Sequence, residues 1–285
     1  QIRQIMLNKS IFKSYDVRGI YPDEINDETV RTISCAFNEY LNLKNFKQSA
    51  VVVGRDIRLS SESLYNAAIE GLLEAGRDVI EIGVTTTPLF YFAVGKSGAA
   101  GGIMITASHN PPEYNGMKFV LQNVTAISYE SGLNEIEKLS LGGRLERAAK
   151  KGNIEKRDYK DEYINFLLKY AHVKKPLSIV LDAGNGTAGI FLPELMEELG
   201  VKYQPLFFEP NGNFPGRGPN PALADAAKNP KEAVKNQKAD FGVLFDGDGD
   251  RLVVIDEKGE AVRGDLITAL LADEIVKPGE TALYE

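Results

Sequence analysis

Short apolar strands alternate with helical segments along this chain, and this alternation limits the possible folds more than any other feature. In the first half the pattern predicts strands at residues 49–53, 78–82 and 101–105, and helices at 60–75 and 88–94. In the second half it predicts strands at residues 177–181, 201–208 and 241–245, and helices at 187–199 and 230–236. Strands that alternate with helices imply a mixed or parallel sheet covered by helices on both faces. We therefore predict an α/β fold made of successive βα domains.

A highly charged stretch at residues 150–160 separates the two sets of strands and helices. A chain of 285 residues is long enough for about two domains. We predict a first domain at residues 8–152, a second at 153–258 and the start of a third at 259–285. In both sets the reactive side chains follow the carboxyl end of a strand, where open α/β sheets usually bind their ligands.

The segment after the strand at residues 101–105 carries the first group of reactive side chains. Ser108 and His109 come first, Asn110 to Pro112 and Asn115-Gly116 are turn signals, and Lys118 follows. A serine in such a loop can carry a covalent phosphate, and His109 and Lys118 can bind or protonate a phosphoryl oxygen. The alternative is a serine that only makes local backbone hydrogen bonds in a turn.

Three aspartates spaced by glycines form the second group. Asp246, Asp248 and Asp250 lie between two apolar strand-like segments. Three carboxylates this close together need a cation, and hard oxygen ligands on a tight loop suit Mg²⁺. An EF-hand is a competing interpretation, but Arg251 stands where a Ca²⁺ loop needs a glycine, and the flanking segments are not helical.

These two groups, with a third segment near the N-terminus, resemble the signatures of one family. The segment Thr106 to Pro111 resembles the phosphoserine loop of the α-D-phosphohexomutases, the phosphomannomutase/phosphoglucomutase family. The segment Asp246 to Arg251 resembles that family's metal loop, and Phe12 to Ile20 its N-terminal signature. The three matches occur in the family's order, from about residue 11 to the end of the chain.

The resemblance implies an enzyme of the isomerase class that moves phosphate between the 1- and 6-positions of mannose or glucose phosphate. Phosphoserine 108 would donate its phosphoryl group to the sugar, and a hexose 1,6-bisphosphate would turn around and return the other phosphate. The implied ligands of Mg²⁺ are Ser108, Asp246, Asp248 and Asp250. The implied catalytic residues are Arg18, Ser108, His109, Lys118 and Arg251. Either Lys118 or His109 would take the proton from the sugar hydroxyl, and the sequence leaves both open.

The resemblance also implies that the chain is a fragment. Members of the family have four domains, with sugar recognition in the third and phosphate anchoring in the fourth. In this chain residues 265–276 are predicted to form the first helix of the third domain, and residues 281–284 the beginning of a strand. We therefore expect the chain alone to turn over substrate poorly. The family also frequently carries histidines where Gly216, Arg217 and Gly218 stand here.

A dinucleotide-binding site is the alternative function. Gly184, Gly186 and Gly189 form a G-x-G-x-x-G pattern between a predicted strand and a predicted helix. The pattern is typical of NAD(P)-binding domains. It is weak here because Asp182 separates the strand from the first glycine, and the next strand reaches an acidic residue only at Glu209.

Composition argues against nucleic acid and membranes as partners. A net charge of −7 argues against a nucleic-acid surface, but a local cluster of Arg18, Lys118 and Arg251 can still attract sugar phosphates. The sequence contains no apolar run of membrane-spanning length and no signal-peptide pattern, so no membrane partner is expected. The single cysteine, Cys35, excludes an internal disulfide and favours a cytoplasmic location; we expect it to be a packed side chain.

Two further groups are expected to be structural. Arg55, Asp56 and Arg58 follow a predicted strand, and we favour a surface ion-pair cluster over a role in orienting domains or facing phosphate. Thr85 to Pro88 is expected to cap the N-terminus of a helix, with the proline in its first turn.

Overall fold

Two β-sheets with helices packed against them organise the chain, which confirms the α/β prediction. This computed structural model describes residues 7–46, 49–142, 147–277 and 279–281. The strands are β1 (Val17–Ile20), β2 (Val51–Arg55), β3 (Val79–Val84), β4 (Gly101–Ile105), β5 (Tyr114–Leu121), β6 (Ile154–Lys156), β7 (Ser178–Asp182), β8 (Lys202–Leu206), β9 (Phe241–Phe245) and β10 (Leu252–Ile255). The helices are α1 (Asp27–Leu43), α2 (Ser61–Glu74), α3 (Thr87–Ser97), α4 (Asn134–Leu141), α5 (Lys160–Leu168), α6 (Ala188–Leu199), α7 (Lys228–Gln237) and α8 (Gly264–Ile275).

The first sheet has the strand order β1-β5-β4-β2-β3-β6. Strands β4, β2, β3 and β6 run parallel, whereas β5 is antiparallel to both β4 and β1. Successive side chains of a strand point to opposite faces, so Val51 and Val53 join the core under α1, α2 and α4, while Val52 joins the core under α3. Both faces of the central strands are therefore buried, as the continuous apolar runs predict.

The second sheet has the order β10-β9-β7-β8, with β10 antiparallel to β9 and the other pairs parallel. Leu181 packs in the core with α6, and Val180 packs in the core with α7. In each sheet a reactive segment follows a central parallel strand. We call residues 106–113, after β4, the serine loop, and residues 246–251, after β9, the aspartate loop.

The structure corrects one prediction about local conformation. Asn115-Gly116 is not a turn, because both residues lie within β5 and pair with β1. The Asn115 side chain donates to Ser61 Oγ at 3.0 Å, which satisfies its amide inside the sheet. Gly116 lies so close to the carbonyl oxygen of Val17 that a side chain at this position would clash with it. The glycine therefore allows close strand pairing instead of marking a turn.

The predicted domain limits remain predictions. The first sheet extends beyond residue 152, because β6 pairs with β3 at its edge. Helix α8 coincides with the helix predicted at residues 265–276. The strand predicted at 281–284 lies outside the described residues, apart from Thr281.

Cys35 is a packed side chain, as expected. It is 2% exposed, and its thiol donates to the carbonyl oxygen of Gly71 at 3.1 Å. Burial and the nearby Glu74 carboxylate raise the pKa of the thiol to about 12, so Cys35 is not a nucleophile at neutral pH. Within the described part of the chain, the helices are all too short or too polar to cross a membrane.

Candidate active site

The serine loop and the aspartate loop meet directly. The hydroxyl of Ser108 donates a hydrogen bond to Asp246 Oδ2 at 2.7 Å. Ser108 is 3% exposed and Asp246 is completely buried. The carbonyl of Ser108 also lies against Gly247, where a side chain would collide with it. Each loop leaves the carboxyl end of a parallel strand, so the two sheets bring their reactive ends together.

The backbone of Ser108 has an unusual conformation. Its φ is +50°, in the left-handed region that residues other than glycine rarely adopt. The amide of Ser108 donates to Thr106 Oγ1 at 2.9 Å, and the amide of Asn110 donates to the carbonyl of Ala107 at 3.0 Å. These bonds hold a sharp bend directly after β4. Strained conformations of this kind persist only where the surroundings impose them, and they cluster at functional sites.

Three carboxylates form a cluster beside Ser108. One oxygen from each of Asp246, Asp248 and Asp250 lies within 4.8 Å of the others. Asp246 and Asp248 are fully buried, whereas Asp250 is exposed. Burial, with the charges of Asp248 and Asp250, raises the pKa of Asp246 to about 8. A divalent cation between these oxygens would relieve the repulsion that adds to the effect of burial.

The two carboxylate oxygens of Asp248 differ in the hydrogen bonds that they accept. Its Oδ2 accepts from Thr87 Oγ1 at 2.6 Å, from Lys118 Nζ at 2.7 Å and from Thr106 Oγ1 at 3.3 Å. Its Oδ1 is buried and receives no hydrogen bond from the described residues. Although burial opposes ionisation, Lys118 and Thr87 lower the pKa of Asp248 to about 2. An ionised carboxylate with a buried, unpartnered oxygen fits a hard divalent cation such as Mg²⁺.

The aspartate loop has its own internal order. Asp246 Oδ1 accepts from the amides of Asp250 and Arg251 at 3.0 and 3.1 Å, and Gly249 adopts a φ of +74°. The loop joins the antiparallel strands β9 and β10. Because an EF-hand loop joins two helices, the structure excludes the EF-hand interpretation.

Four cationic or titratable side chains lie in or beside these loops: Arg18, His109, Lys118 and Arg251. Lys118 Nζ lies 2.6 Å from Asp250 as well as 2.7 Å from Asp248, and these carboxylates raise the pKa of Lys118 although burial lowers it. Arg18 pairs with Asp16 and donates to Asn110 Oδ1 at 2.8 Å.

Arg251 and His109 lie beside each other at the open side of the site. Arg251 Nη1 lies 3.5 Å from His109 Nε2. Burial and the charges of Arg251 and Arg18 lower the pKa of His109, so the ring is neutral at pH 7. Lys118 contacts the carboxylates and Arg18 contacts Asn110, so all the predicted site residues lie in one region.

The sequence interpretation missed the contacts that Arg58 and Thr87 make with this region. The expectation of a surface ion-pair cluster is wrong for Asp56 and Arg58, which are 0% and 1% exposed. Arg58 instead donates to carbonyl groups of the serine loop. Thr86 caps α3 as expected, since its hydroxyl accepts from the amide of Leu89 at 3.2 Å. Its neighbour Thr87 has another partner, because it donates to Asp248.

The glycines of the G-x-G-x-x-G pattern pack against the chain itself. A side chain at Gly189 would clash with the carbonyl of Phe208, and one at Gly186 would clash with the carbonyl of Gly247 in the aspartate loop. The space that a dinucleotide phosphate would need beside these glycines is thus occupied by backbone. The structure gives the NAD(P)-binding alternative no support.

Arg217, which stands where histidines were expected from the resemblance, is buried behind the aspartate loop. Its Nε donates to Asp182 Oδ1 at 2.8 Å, and its Nη2 donates to the carbonyl of Phe245 at 2.6 Å. Phe245 immediately precedes Asp246 in the chain. Arg217 therefore links the ends of β7 and β9 beneath the carboxylate cluster.

The fold and the site define an α/β protein in which a strained serine and a carboxylate cluster meet between two sheets. The models of the phosphoglucomutase/phosphomannomutase α/β/α domains I and II match residues 9–144 and 161–259. The chain therefore belongs to the phosphoglucomutase/phosphomannomutase family, which confirms the resemblance.

Curated relatives and solved structures agree with this assignment. The chain is 39% identical to a phosphomannomutase of Vibrio cholerae over 97% of its own length and 61% of the relative. It is 36% identical to a phosphomannomutase of Escherichia coli, over 98% of this chain and 63% of that one. A phosphoglucomutase/phosphomannomutase family protein from Burkholderia thailandensis has a TM-score of 0.88 at 36% identity, over 95% of this chain and 60% of that one. The chain thus spans about three fifths of the length of these relatives.

Proposed function

We propose that this chain carries the phosphoryl-transfer centre of a phosphohexomutase. The reaction would move phosphate between the 1- and 6-positions of mannose or glucose phosphate, through phosphoserine at Ser108 and a hexose 1,6-bisphosphate. The observation that carries this proposal is the 2.7 Å hydrogen bond from the Ser108 hydroxyl to the carboxylate cluster. The names of the relatives, phosphomannomutase and phosphohexose mutase, support a hexose phosphate as the substrate.

Mg²⁺ is the proposed metal. Asp246, Asp248 and Asp250 would hold it, with an oxygen of Ser108 or its phosphate as a further ligand. The oxygen-only donor set and the free Oδ1 of Asp248 support a hard cation. When bound, Mg²⁺ would stabilise negative charge on the transferring phosphoryl group.

The remaining side chains would bind phosphoryl oxygens around Ser108. Phosphoryl transfer spreads charge over several oxygens, so fixed positive groups and accurate positioning matter more than covalent activation. Lys118 already lies on the carboxylates, and Arg18 is anchored to the serine loop through Asn110. Arg251 offers a planar fork at the open side, suited to a phosphate group.

Two side chains are candidates for the general base that takes the proton from the sugar hydroxyl. His109 is neutral at pH 7, the state that a base requires. Lys118 is held protonated by the carboxylates, and a cation that shares their charge would weaken this effect. A pH profile with and without His109 distinguishes the two.

Phosphopeptide mapping tests the proposal. The chain is incubated with glucose 1,6-bisphosphate and Mg²⁺, alongside Ser108→Ala and the control Ser10→Ala, an exposed serine near the start of the fold. We expect phosphate on Ser108 alone, in the unsubstituted chain and in Ser10→Ala. Phosphate that persists in Ser108→Ala, or its absence from every sample, would overturn the proposal.

A further inference from the structure

Arg58 is a buried arginine between β2 and α2 that contacts the serine loop. A guanidinium has five N–H groups, and all five of them donate in this structure. The acceptors are Asp56 Oδ2 at 3.1 Å for Nε, the carbonyls of Pro111 and Tyr114 at 2.6 and 3.0 Å for Nη1, and the carbonyls of Ser108 and Asn110 at 2.8 and 2.7 Å for Nη2. Arg58 is 1% exposed, so its guanidinium has almost no access to bulk water.

The guanidinium is itself held in place from two sides. Asp56 supplies the opposite charge and accepts from the Arg58 amide at 3.0 Å and from the Ser61 hydroxyl. The ring of Phe214, from the second sheet's half of the chain, lies 5.1 Å from the guanidinium carbon. Because both ends of the side chain are fixed, Arg58 is a rigid template for the loop that it contacts.

The serine loop needs such a template. Pro111 and Pro112 have no amide hydrogen, so the loop cannot form a regular hydrogen-bonded ladder. Without Arg58, the carbonyls of Ser108 and Asn110 would lose this donor, and Ser108 is only 3% exposed to water that could replace it. The left-handed backbone of Ser108 also requires surroundings that impose it.

We propose that Arg58 is a positioning residue: by binding four carbonyls of the serine loop and its junction with β5, it sets the direction of the Ser108 hydroxyl toward Asp246. It acts through the loop backbone and does not touch the reacting atoms. The consequence for catalysis rests on the proposed function, whereas the consequence for the shape of the loop does not.

Arg58→Lys is the variant that separates charge from geometry. A lysine keeps the pairing with Asp56, but its three donors radiate from a single nitrogen and cannot reach four carbonyls spread over the loop. The charge of the site is unchanged in this variant. Any effect on Ser108 must then come from the lost carbonyl bonds.

Arg77 offers a matched control in the same half of the chain. It is 3% exposed and also donates to several acceptors. These are Asn38 Oδ1 at 2.7 Å, Asn42 Oδ1 at 2.8 Å, and the carbonyls of Phe46 and Ser49 at 2.5 and 2.6 Å. None of them belongs to the serine loop. Arg77→Lys therefore removes a comparable set of bonds from a buried arginine without touching that loop.

Besides the unfolding midpoint, the experiment measures two quantities on the unsubstituted chain, Arg58→Lys and Arg77→Lys. The first is hydrogen exchange at the amides of Ser108, Asn110 and Tyr114, each of which has an acceptor in this segment. The second is the rate at which glucose 1,6-bisphosphate with Mg²⁺ phosphorylates Ser108.

We expect both variants to lower the unfolding midpoint, but only Arg58→Lys to change the serine loop. Its exchange should accelerate by about tenfold or more, and its phosphorylation rate should fall by about 10²-fold, as expected for a misplaced reacting group. The inference is overturned if both variants change either quantity equally. If the unsubstituted chain accepts no phosphate, the proposed function fails, and the exchange data alone still decide whether Arg58 shapes the loop.

Discussion

The serine loop is held by hydrogen bonds from Arg58 to uncharged carbonyl groups, whereas in the aspartate loop charged side chains contact one another, in addition to the amides that bind Asp246. Arg58 donates to three carbonyls of the serine loop, and a local bend fixes Ser108. In the aspartate loop, Lys118 contacts Asp248 and Asp250, and Asp246 lies beside them. The two loops touch, but different changes in the solution or the sequence should disturb them.

The difference separates a rigid acceptor from a responsive binding site. The serine loop is held through its neutral carbonyl groups by Arg58, whose pair with Asp56 is fully buried, so added salt should affect its geometry little. The carboxylate cluster has three acidic groups and one lysine in direct contact, which leaves excess negative charge in a buried place. Its stability should therefore depend on any cation that reaches it.

Removing the lysine from the cluster is expected to have the largest effect. In Lys118→Met the buried carboxylate of Asp248 loses its counter-charge, and breaking a buried pair in this way costs about 3 kcal/mol or more. Urea unfolding without divalent metal measures the loss. Added Mg²⁺ should recover part of it, because the cation would replace the missing charge.

A second lysine supplies the control for this prediction. Lys156 pairs with Glu81 at 2.9 Å, but its side chain is 87% exposed. Water screens such a pair, so Lys156→Met should leave the unfolding midpoint nearly unchanged. Equal losses in the two variants would contradict the view that charge holds the aspartate loop.

Thr87 is expected to have the next largest effect, on metal affinity. Its hydroxyl and Lys118 occupy Asp248 Oδ2, which leaves Oδ1 for a cation. Thr87→Val keeps the shape but removes the hydroxyl, and loss of such an orienting partner typically lowers metal affinity by about 10- to 100-fold. Titration with Mn²⁺, followed by its paramagnetic signal, measures the dissociation constant.

The neighbouring threonine tests whether this effect is specific. Thr86→Val removes the helix cap on Leu89, which should cost about 1 kcal/mol of stability while metal affinity stays unchanged. If Thr86→Val weakens metal binding as much as Thr87→Val does, the effect reflects the placement of α3 and not the bond to Asp248.

The sequence predicts the two loops well because each is a contiguous run of informative residues. Ser108 and His109 stand together, and Asp246, Asp248 and Asp250 are separated only by glycines. Alternating strands and helices likewise predict the parallel strands β2, β3, β4, β7 and β9, because each is a short apolar run with a recognisable end, whereas β1, β5 and β6 were not predicted. The position of each loop agrees with the rule that open α/β sheets bind ligands at the carboxyl ends of their strands.

The supporting residues cannot be predicted in this way. Arg58 lies 50 residues from Ser108, and Thr87 lies 161 residues from Asp248, so no local pattern connects them. An arginine two residues after an aspartate resembles a surface ion pair until its burial is known. Asn115-Gly116 was similarly misleading, because its strand conformation depends on pairing with β1 and not on its own turn preference.

The strain at Ser108 can be tested by comparing two small substitutions. Glycine adopts a left-handed backbone freely, so Ser108→Gly should be more stable than Ser108→Ala by about 1 kcal/mol. Ser34 lies in the middle of α1, where the opposite order is expected. Ser34→Ala should be more stable than Ser34→Gly by about 1 kcal/mol, because alanine stabilises a helix relative to glycine. Urea unfolding of the four variants tests this reversal; the same sign at both positions would contradict strain at Ser108.

The smallest expected effect is a change in the pH profile of phosphoryl transfer. Burial and the charges of Arg251 and Arg18 lower the pKa of His109 from its ordinary value of 6.5. A base must be unprotonated, so a rate that depends on His109 should rise with pH through a pKa below 6.5 and then level off. His109→Gln should abolish this rise of the rate with pH, the acidic limb of the profile. His172→Gln, at the other histidine of the chain, should keep it. A limb that survives in His109→Gln would assign the proton transfer to another group and leave Lys118 as the better candidate. That result would place the general base on the charged side of the site, where a metal controls its pKa, and not on the serine loop.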